Sequence, residues 1–165
     1  MNNIDNRPIG IFDSGLGGLT VVKAFQELLP NESIVYFGDT ARVPYGIKSK
    51  NLVLQYSIQI TNFLIKKNAK LIIIACNTAT AMALSELKKK FINIPIIGVI
   101  EPGVKKAISI TKNNNIGVIG TIATINSQAY FESIKRLNNN MNIYSKACPL
   151  FVPLTEEGWI SGDVP

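Results

Sequence analysis

Cys76 is the side chain in this sequence best suited to act as a thiolate. The apolar run Leu71 to Ala75 leads into it, and the polar residues Asn77 and Thr78 follow it. A helix predicted to begin at Asn77 would set partial positive charge beside the sulfur, which lowers the pKa of a thiol. The free N–H groups of that helix start could also hold a carboxylate. A buried cysteine more commonly packs as a small apolar side chain, but the polar residues that follow favour a reactive thiol.

Several other thiol and metal sites are excluded by the residues that the sequence lacks. It contains no histidine, so a papain-like cysteine–histidine pair cannot form. A phosphatase-type thiolate loop would need an arginine shortly downstream of Cys76, and residues 80–88 contain none. Two distant cysteines without histidine provide neither a zinc site nor a disulfide scaffold. The second cysteine, Cys148, lies in an apolar, proline-containing segment, and we interpret it as structural.

A glycine-rich segment, residues 13–18, lies between a predicted strand and a predicted helix. Glycines allow close backbone approach, and a helix start attracts anions, so one interpretation is a dinucleotide-binding loop. Asp39 would then be the ribose-binding acid that follows roughly 20 residues after such a loop. However, Thr20 occupies the third glycine position, and Asp13 would place a negative charge beside the phosphates. The other interpretation is a tight turn without a ligand.

The elements that would position these residues alternate along the chain between strand and helix. Strands are predicted at residues 9–12, 33–37, 71–75, 95–100, 116–119 and 142–147, and helices at 19–29, 49–67 (capped by Ser49), 77–91, 102–111 and from Asn126 or Ser127 to 137. This alternation predicts an α/β fold with mainly parallel sheets and flanking helices. Ligands of such sheets bind beyond the carboxyl ends of the strands. Asp13, Asp39, Cys76 and Glu101 each follow a predicted strand and should gather there.

Composition limits the classes of protein to which the chain can belong. Its 165 residues are 47% hydrophobic, enough for one domain or for one domain and part of a second. The net charge of +6 comes from small groups of lysines, two of them at predicted helix ends, with no interleaved aromatic residues, so we expect no nucleic-acid partner. The longest apolar run is too short to cross a bilayer, and no secretory signal is visible. We expect a soluble cytoplasmic protein without a membrane partner.

These segments together resemble the glutamate racemases of the aspartate/glutamate racemase family. The resemblance runs nearly end to end and is carried by six short motifs, at residues 13–19, 38–46, 75–80, 100–103, 120–121 and 149–154. It implies two similar α/β domains with the site between them. Residues 1–98 would form most of the first domain, which in this family is completed by the C-terminal part of the chain, and residues 99–165 would form part of the second.

The resemblance implies a racemase that interconverts L- and D-glutamate by two-base proton transfer without a cofactor, supplying D-glutamate for peptidoglycan synthesis. One thiolate removes the α-proton, and a thiol on the opposite face returns one. Cys76 would be the base on the D-glutamate side, Asp13 would assist it, and Glu156 would support the second thiol. The implied substrate-binding residues are Asp13, Ser14, Tyr45, Gly46, Asn77, Thr78 and Thr121. Glutamate would be the small-molecule partner, and a homodimer is compatible with the resemblance.

One family motif is missing. The second catalytic cysteine of the family lies in a Gly-Cys-Thr-His-Tyr-Pro motif that this sequence lacks, and Cys148 has a different context. Residues 156–159 are predicted to open a new helix or loop, so we expect a truncated chain that is inactive by itself. Two alternatives remain open: a Rossmann-type nucleotide-binding module, and a non-catalytic remnant that binds glutamate or a partner. A racemase acting on aspartate is a smaller variant of the first interpretation.

Overall fold

The computed structural model describes residues 5–163, which form six strands and seven α-helices. The strands are β1 (Ile9–Asp13), β2 (Ile34–Gly38), β3 (Leu71–Ile74), β4 (Ile96–Gly98), β5 (Asn115–Gly120) and β6 (Asn142–Ala147). The helices are α1 (Leu19–Leu28), α2 (Lys50–Lys66), α3 (Asn77–Lys90), α4 (Ile100–Ile110), α5 (Ile122–Asn126), α6 (Ala129–Leu137) and α7 (Phe151–Glu156), and a 3₁₀ turn covers Tyr45–Ile47. Residues 1–4 and 164–165 of the two predicted domains lie outside the described residues.

The strands form two parallel sheets. The first has the order β2-β1-β3-β4, with Ile9 opposite Ile34 on one side and opposite Leu71 on the other. The second pairs β5 with β6. All four strand pairings between residues 5 and 163 are parallel, which confirms the predicted α/β fold. The division into domains at residues 98 and 99 stays a prediction, although the chain passes from the first sheet to α4 at this point.

Buried side chains cover both faces of the first sheet. Ile72 and Ile74 of β3 pack with α2 and α3, while Ile73 between them packs on the opposite face with α1. A strand covered on both faces must be apolar throughout, which is why β3 reads as an unbroken aliphatic run. A separate core joins β5 to α4 and α6, and Ala81 of α3 packs against it. Helix α3 therefore lies between the two sheets.

Three predicted boundaries are wrong, and local contacts explain each. The strand predicted to reach residue 100 ends at Gly98, and α4 begins at Ile100, because Pro102 in a first turn loses no helical hydrogen bond. Glu101 is therefore an exposed helical residue paired with Lys105 at 2.8 Å, and not a strand-end group. The helix caps predicted at residues 126 and 127 are also wrong. These residues lie at the end of a helix that was not predicted, α5, whose N-cap is Thr121.

The third boundary concerns residues 156–159, which were predicted to open a helix or loop. Helix α7 instead ends there, and Gly158 closes it with a positive φ of 68°. By contrast, the predicted cap of α2 is confirmed: the Ser49 hydroxyl accepts the N–H of Leu52 at 3.4 Å. Between residues 5 and 163, no helix combines the length and the apolar character needed to cross a membrane.

Gly98→Ala should destabilise the fold by about 1–3 kcal/mol, the usual cost of overpacking. A Cβ at residue 98 would lie 2.3 Å from Cγ2 of Thr80 and 3.1 Å from Leu84. Gly117→Ala is the matched control in the second sheet, because a Cβ there meets nothing within 4 Å. The free energy of unfolding in urea measures both variants. Equal losses in the two would contradict this account of the packing between β4 and α3.

Candidate active site

The glycine loop after β1 folds around the side chain of Asp13. Carboxylate oxygen Oδ2 of Asp13 accepts the backbone N–H groups of Gly15 at 3.2 Å and Gly18 at 3.0 Å. Asp13 is buried, and these hydrogen bonds replace the water that would otherwise stabilise its carboxylate. Two of the N–H groups that could bind a phosphate in a dinucleotide loop are therefore occupied by the chain's own carboxylate. This arrangement counts against the nucleotide-binding alternative.

Two glycines of the motifs allow this loop to sit close to the strand ends. A Cβ at Gly18 would lie 2.6 Å from Cβ of Asp13, and a Cβ at Gly38 would lie 2.5 Å from the carbonyl oxygen of Gly15. The same carbonyl accepts a hydrogen bond from the Tyr36 hydroxyl at 2.8 Å. The glycines thus serve backbone packing around Asp13. Tyr36 was not among the predicted site residues.

Cys76 is the N-cap of α3 and lies beside this loop. Its sulfur accepts the N–H of Ala79 at 3.4 Å, and its thiol donates to Oγ of Ser14 at 3.5 Å. The side chain is only 6% exposed. Burial raises the pKa of the Cys76 thiol, the charge of Asp13 raises it further, and the bonds from Ser14 and Ala79 lower it by less.

The predicted lowering of the Cys76 thiol pKa is therefore wrong in sign. The helix N-terminus is present, as the sequence indicated, but loss of water and a nearby carboxylate outweigh it. The thiol of this closed site is protonated at neutral pH.

Three threonine hydroxyls connect α3 to the second sheet. Oγ1 of Thr78 lies 3.0 Å from Oγ1 of Thr121 and 3.1 Å from that of Thr124, and the latter two are 3.0 Å apart. The 3₁₀ turn reaches the same place, because a Cβ at Gly46 would lie 2.5 Å from Cβ of Thr121. Thr124 escaped the sequence analysis, although its spacing three residues after a potential helix cap was a usable signal.

Tyr45 is buried, and its hydroxyl donates to the Asp39 carboxylate. Burial and this bond raise the pKa of Tyr45. Asp39 also accepts from Nε of Arg42 at 2.9 Å, and the Arg42 guanidinium lies 4.2 Å from the centre of the Tyr56 ring. Asp39 therefore has no free carboxylate to offer a ribose, and Tyr45 can offer a ligand its backbone but not its hydroxyl.

Asn77 and Glu156 complete the set of predicted residues. Asn77 is exposed, and its Oδ1 accepts from the hydroxyl of Tyr130 at 2.6 Å. Oε1 of Glu156, at the end of α7, would lie 3.0 Å from a Cβ at Gly15. The predicted site residues thus meet at the carboxyl edge of the first sheet. Their roles stay predictions.

Cys148 lies nearer to this edge than its apolar context suggested. It is partly exposed and lines a cavity of about 240 Å³ together with Asn77, Thr121, Tyr130 and Phe151. A larger cavity of about 550 Å³ lies at the opposite edge of the first sheet, near the starts of β3 and β4, and contains none of the predicted site residues. The larger cavity therefore lies away from the predicted site residues. We place the candidate site at the carboxyl edge, where those residues lie, and not at the larger cavity. Within residues 5–163, no three His, Cys, Asp or Glu side chains are grouped to hold a metal ion.

Known proteins share both the sequence and the fold of this chain. The chain is 59% identical over 157 residues to the glutamate racemase of Aquifex aeolicus, which covers 95% of the chain and 61% of that relative. It is 52% identical to the glutamate racemase of Geobacter metallireducens, over 96% of the chain and 58% of the relative. The chain thus spans about three fifths of the length of these curated relatives.

Among solved structures, the chain superposes on the glutamate racemase of Francisella tularensis, determined in complex with D-glutamate, with a TM-score of 0.91. The two are 49% identical, and the match covers 98% of this chain and 60% of that one. A family model described as Asp/Glu/Hydantoin racemase matches residues 17–153, a range that includes Cys76, Asn77 and every described strand except β1. The chain therefore belongs to the Asp/Glu/hydantoin racemase family.

Proposed function

We propose that the protein is a glutamate racemase that interconverts L- and D-glutamate and that Cys76 is one of its two bases. One observation carries the proposal: a buried thiol at the N-terminus of α3 bonds to Ser14 and lies within the field of the Asp13 carboxylate. The high identity to proteins named glutamate racemases supports glutamate as the substrate.

The proton transfer proposed for Cys76 is reversible. As a thiolate it takes the α-proton of D-glutamate, the C–H electron pair stays on the α-carbon, and a thiol on the opposite face donates a proton to that carbon to give L-glutamate. In the other direction the Cys76 thiol donates its proton to the carbanion. A weakly acidic α-proton needs a strong base, and base strength rises with pKa. The un-ionised thiol is the form that donates a proton in the reverse direction, and burial and the Asp13 charge, which raise the Cys76 pKa, favour that donor form.

The two carboxylates of glutamate need hydrogen-bond donors, and we propose that the carboxyl edge supplies them. The start of α3 offers backbone N–H groups and the exposed amide of Asn77. The hydroxyls of Thr78 and Thr121 lie on the wall toward the second sheet. Ser14 and the backbone of Tyr45 and Gly46 complete the proposed binding set.

The second base is proposed to come from outside these 165 residues. The sequence holds two cysteines, and Cys148 offers its thiol only to a backbone carbonyl, that of Lys146 at 3.8 Å. Glu156, which projects toward the glycine loop from α7, is proposed to support that second thiol. We further propose, from the resemblance, that the D-glutamate formed serves peptidoglycan synthesis and that the whole protein is a homodimer.

D-glutamate should bind to this chain, and NAD should not. Ser14→Ala should weaken D-glutamate binding roughly tenfold, the effect of one hydrogen bond to a charged ligand. Isothermal titration calorimetry measures each ligand, and Ser109→Ala is the control because Ser109 is exposed on α4. Binding of NAD with no binding of glutamate would instead favour the nucleotide-binding module.

Cys76→Ser should reduce racemisation by roughly 10² to 10⁴, the range for loss of a general acid–base group. The assay follows incorporation of deuterium at the α-carbon and optical rotation, in a protein that joins this chain to a segment with the missing cysteine motif. Cys148→Ser is the matched control and should keep activity. The 165-residue chain by itself should not racemise glutamate at a useful rate. Normal turnover of Cys76→Ser would mean that another group is the base.

Cys76 should be alkylated slowly at neutral pH, and Cys148 should react first, because burial and Asp13 disfavour the Cys76 thiolate. Asp13→Asn removes the negative charge, so it should lower the Cys76 titration midpoint and speed alkylation at a fixed pH near 8. The measurement is iodoacetamide labelling as a function of pH, followed by mass mapping. Asp163→Asn, an exposed acid, is the control. An unchanged or higher midpoint in Asp13→Asn would contradict the role given to this carboxylate.

A further inference from the structure

We propose that Tyr36 is a positioning residue of this site, whose hydroxyl holds the Asp13–Gly15 loop so that Ser14 stays against Cys76. The proposal rests on the proposed role of Cys76 as a base, and its test needs no racemase activity. Neither the motifs nor the predicted site residues include Tyr36.

The contact that carries the proposal is the bond from the Tyr36 hydroxyl to the carbonyl of Gly15, 2.8 Å long and 21 residues apart in sequence. Tyr36 stands in the middle of β2, directly beside β1 in the sheet. A rigid strand therefore anchors the loop through one side chain. Ser14, the residue before Gly15, accepts a hydrogen bond from the Cys76 thiol. Gly15 itself donates its N–H to the Asp13 carboxylate.

The glycines of two motifs make room for this phenol. A Cβ at Gly18 would lie 3.0 Å from the Tyr36 hydroxyl oxygen, and a Cβ at Gly38 would lie 3.1 Å from its ring carbon Cε1. Both contacts are tighter than ordinary packing allows. The glycine pattern that resembles a phosphate loop in sequence thus accommodates a tyrosine and an aspartate of the chain itself.

The charges that face Tyr36 keep it a neutral donor. Burial, together with the neighbouring groups Asp13, Cys76 and Glu156, raises the pKa of Tyr36 to about 12. At neutral pH the phenol is therefore protonated and donates to the Gly15 carbonyl. Without the hydroxyl, the Gly15 carbonyl would lose its hydrogen-bond donor, and the loop would lose its attachment to β2.

The test is a double-mutant cycle on the titration of Cys76, in a Cys148→Ser background so that one thiol remains. In the thiol form Cys76 donates to Ser14, but once Cys76 is ionised the Ser14 hydroxyl can donate to the thiolate, and that bond lowers the pKa of Cys76. Ser14→Ala should therefore raise the midpoint of the alkylation rate against pH by about 0.5 to 1 pH unit, the equivalent of one neutral hydrogen bond. Tyr36→Phe should raise it in the same direction. The midpoint of the double variant should be no higher than that of Ser14→Ala, because Tyr36 acts through the loop that carries Ser14.

A tyrosine with only a general structural role would not produce this pattern. Tyr144→Phe, an exposed tyrosine on β6, is the control and should leave the midpoint unchanged. An unchanged midpoint in Tyr36→Phe, a lowered midpoint, or full additivity with Ser14→Ala would each overturn the proposal.

A second measurement covers the case in which Tyr36→Phe does not fold. A 3-fluorotyrosine at position 36 keeps the hydroxyl, and its ¹⁹F signal should show a pH-dependent shift that disappears in a Cys76→Ser control, where only the titration of the phenol itself remains. The same shift with and without the thiol overturns the proposal. These readouts use no glutamate. If the cycle gives the expected coupling but D-glutamate does not bind, the proposed function fails and the positioning role of Tyr36 stands.

Discussion

The buried carboxylate of Asp13 is the constraint on which the carboxyl edge depends. A charge out of water must be paired or hydrogen-bonded, and here the loop that follows β1 turns back to donate two of its own N–H groups. That turn determines where Ser14 stands and commits two of the loop's N–H groups to Asp13 instead of to a phosphate. The same charge acts on the neighbouring thiol of Cys76 and raises its pKa. One carboxylate therefore holds the backbone of the loop and adds to the effect of burial, which is the main cause of the raised pKa of the thiol.

The thiol of Cys76 illustrates a competition between two opposite effects. A helix N-terminus favours the thiolate, and the N–H of Ala79 is in place to do so. Burial removes the water that would stabilise the same thiolate, and it is the larger effect here. The outcome suits the role proposed for Cys76, which requires it to hold a proton in one direction and to take one in the other. A permanently ionised thiolate would be a weaker base toward the α-proton of an amino acid.

The edge is also the place where the two sheets approach each other. Helix α3 contributes Ala81 to the core of the second sheet and Thr78 to the hydroxyl cluster with Thr121 and Thr124. Gly46 leaves no room for a side chain against Thr121, so the turn before α2 is held to the second sheet as well. Similarity to a solved glutamate racemase covers 98% of the chain and so extends across both sheets.

The amino-acid sequence was sufficient to predict the parallel α/β fold, the place of Cys76 before a helix and the gathering of Asp13, Asp39 and Cys76 at one edge, although Glu101 does not join them. These follow from local periodicity, from caps and from the rule that parallel strands end at the same side. Tertiary structure alone decided the sign of the Cys76 pKa shift, the anchoring role of Tyr36 and the pairing of Asp39 with Tyr45. The physical reason is that burial and charge–charge distances are set by residues far apart in the chain: Ser14 and Cys76 are separated by 62 positions. No local pattern records which distant group will exclude water from a thiol or donate to a carbonyl.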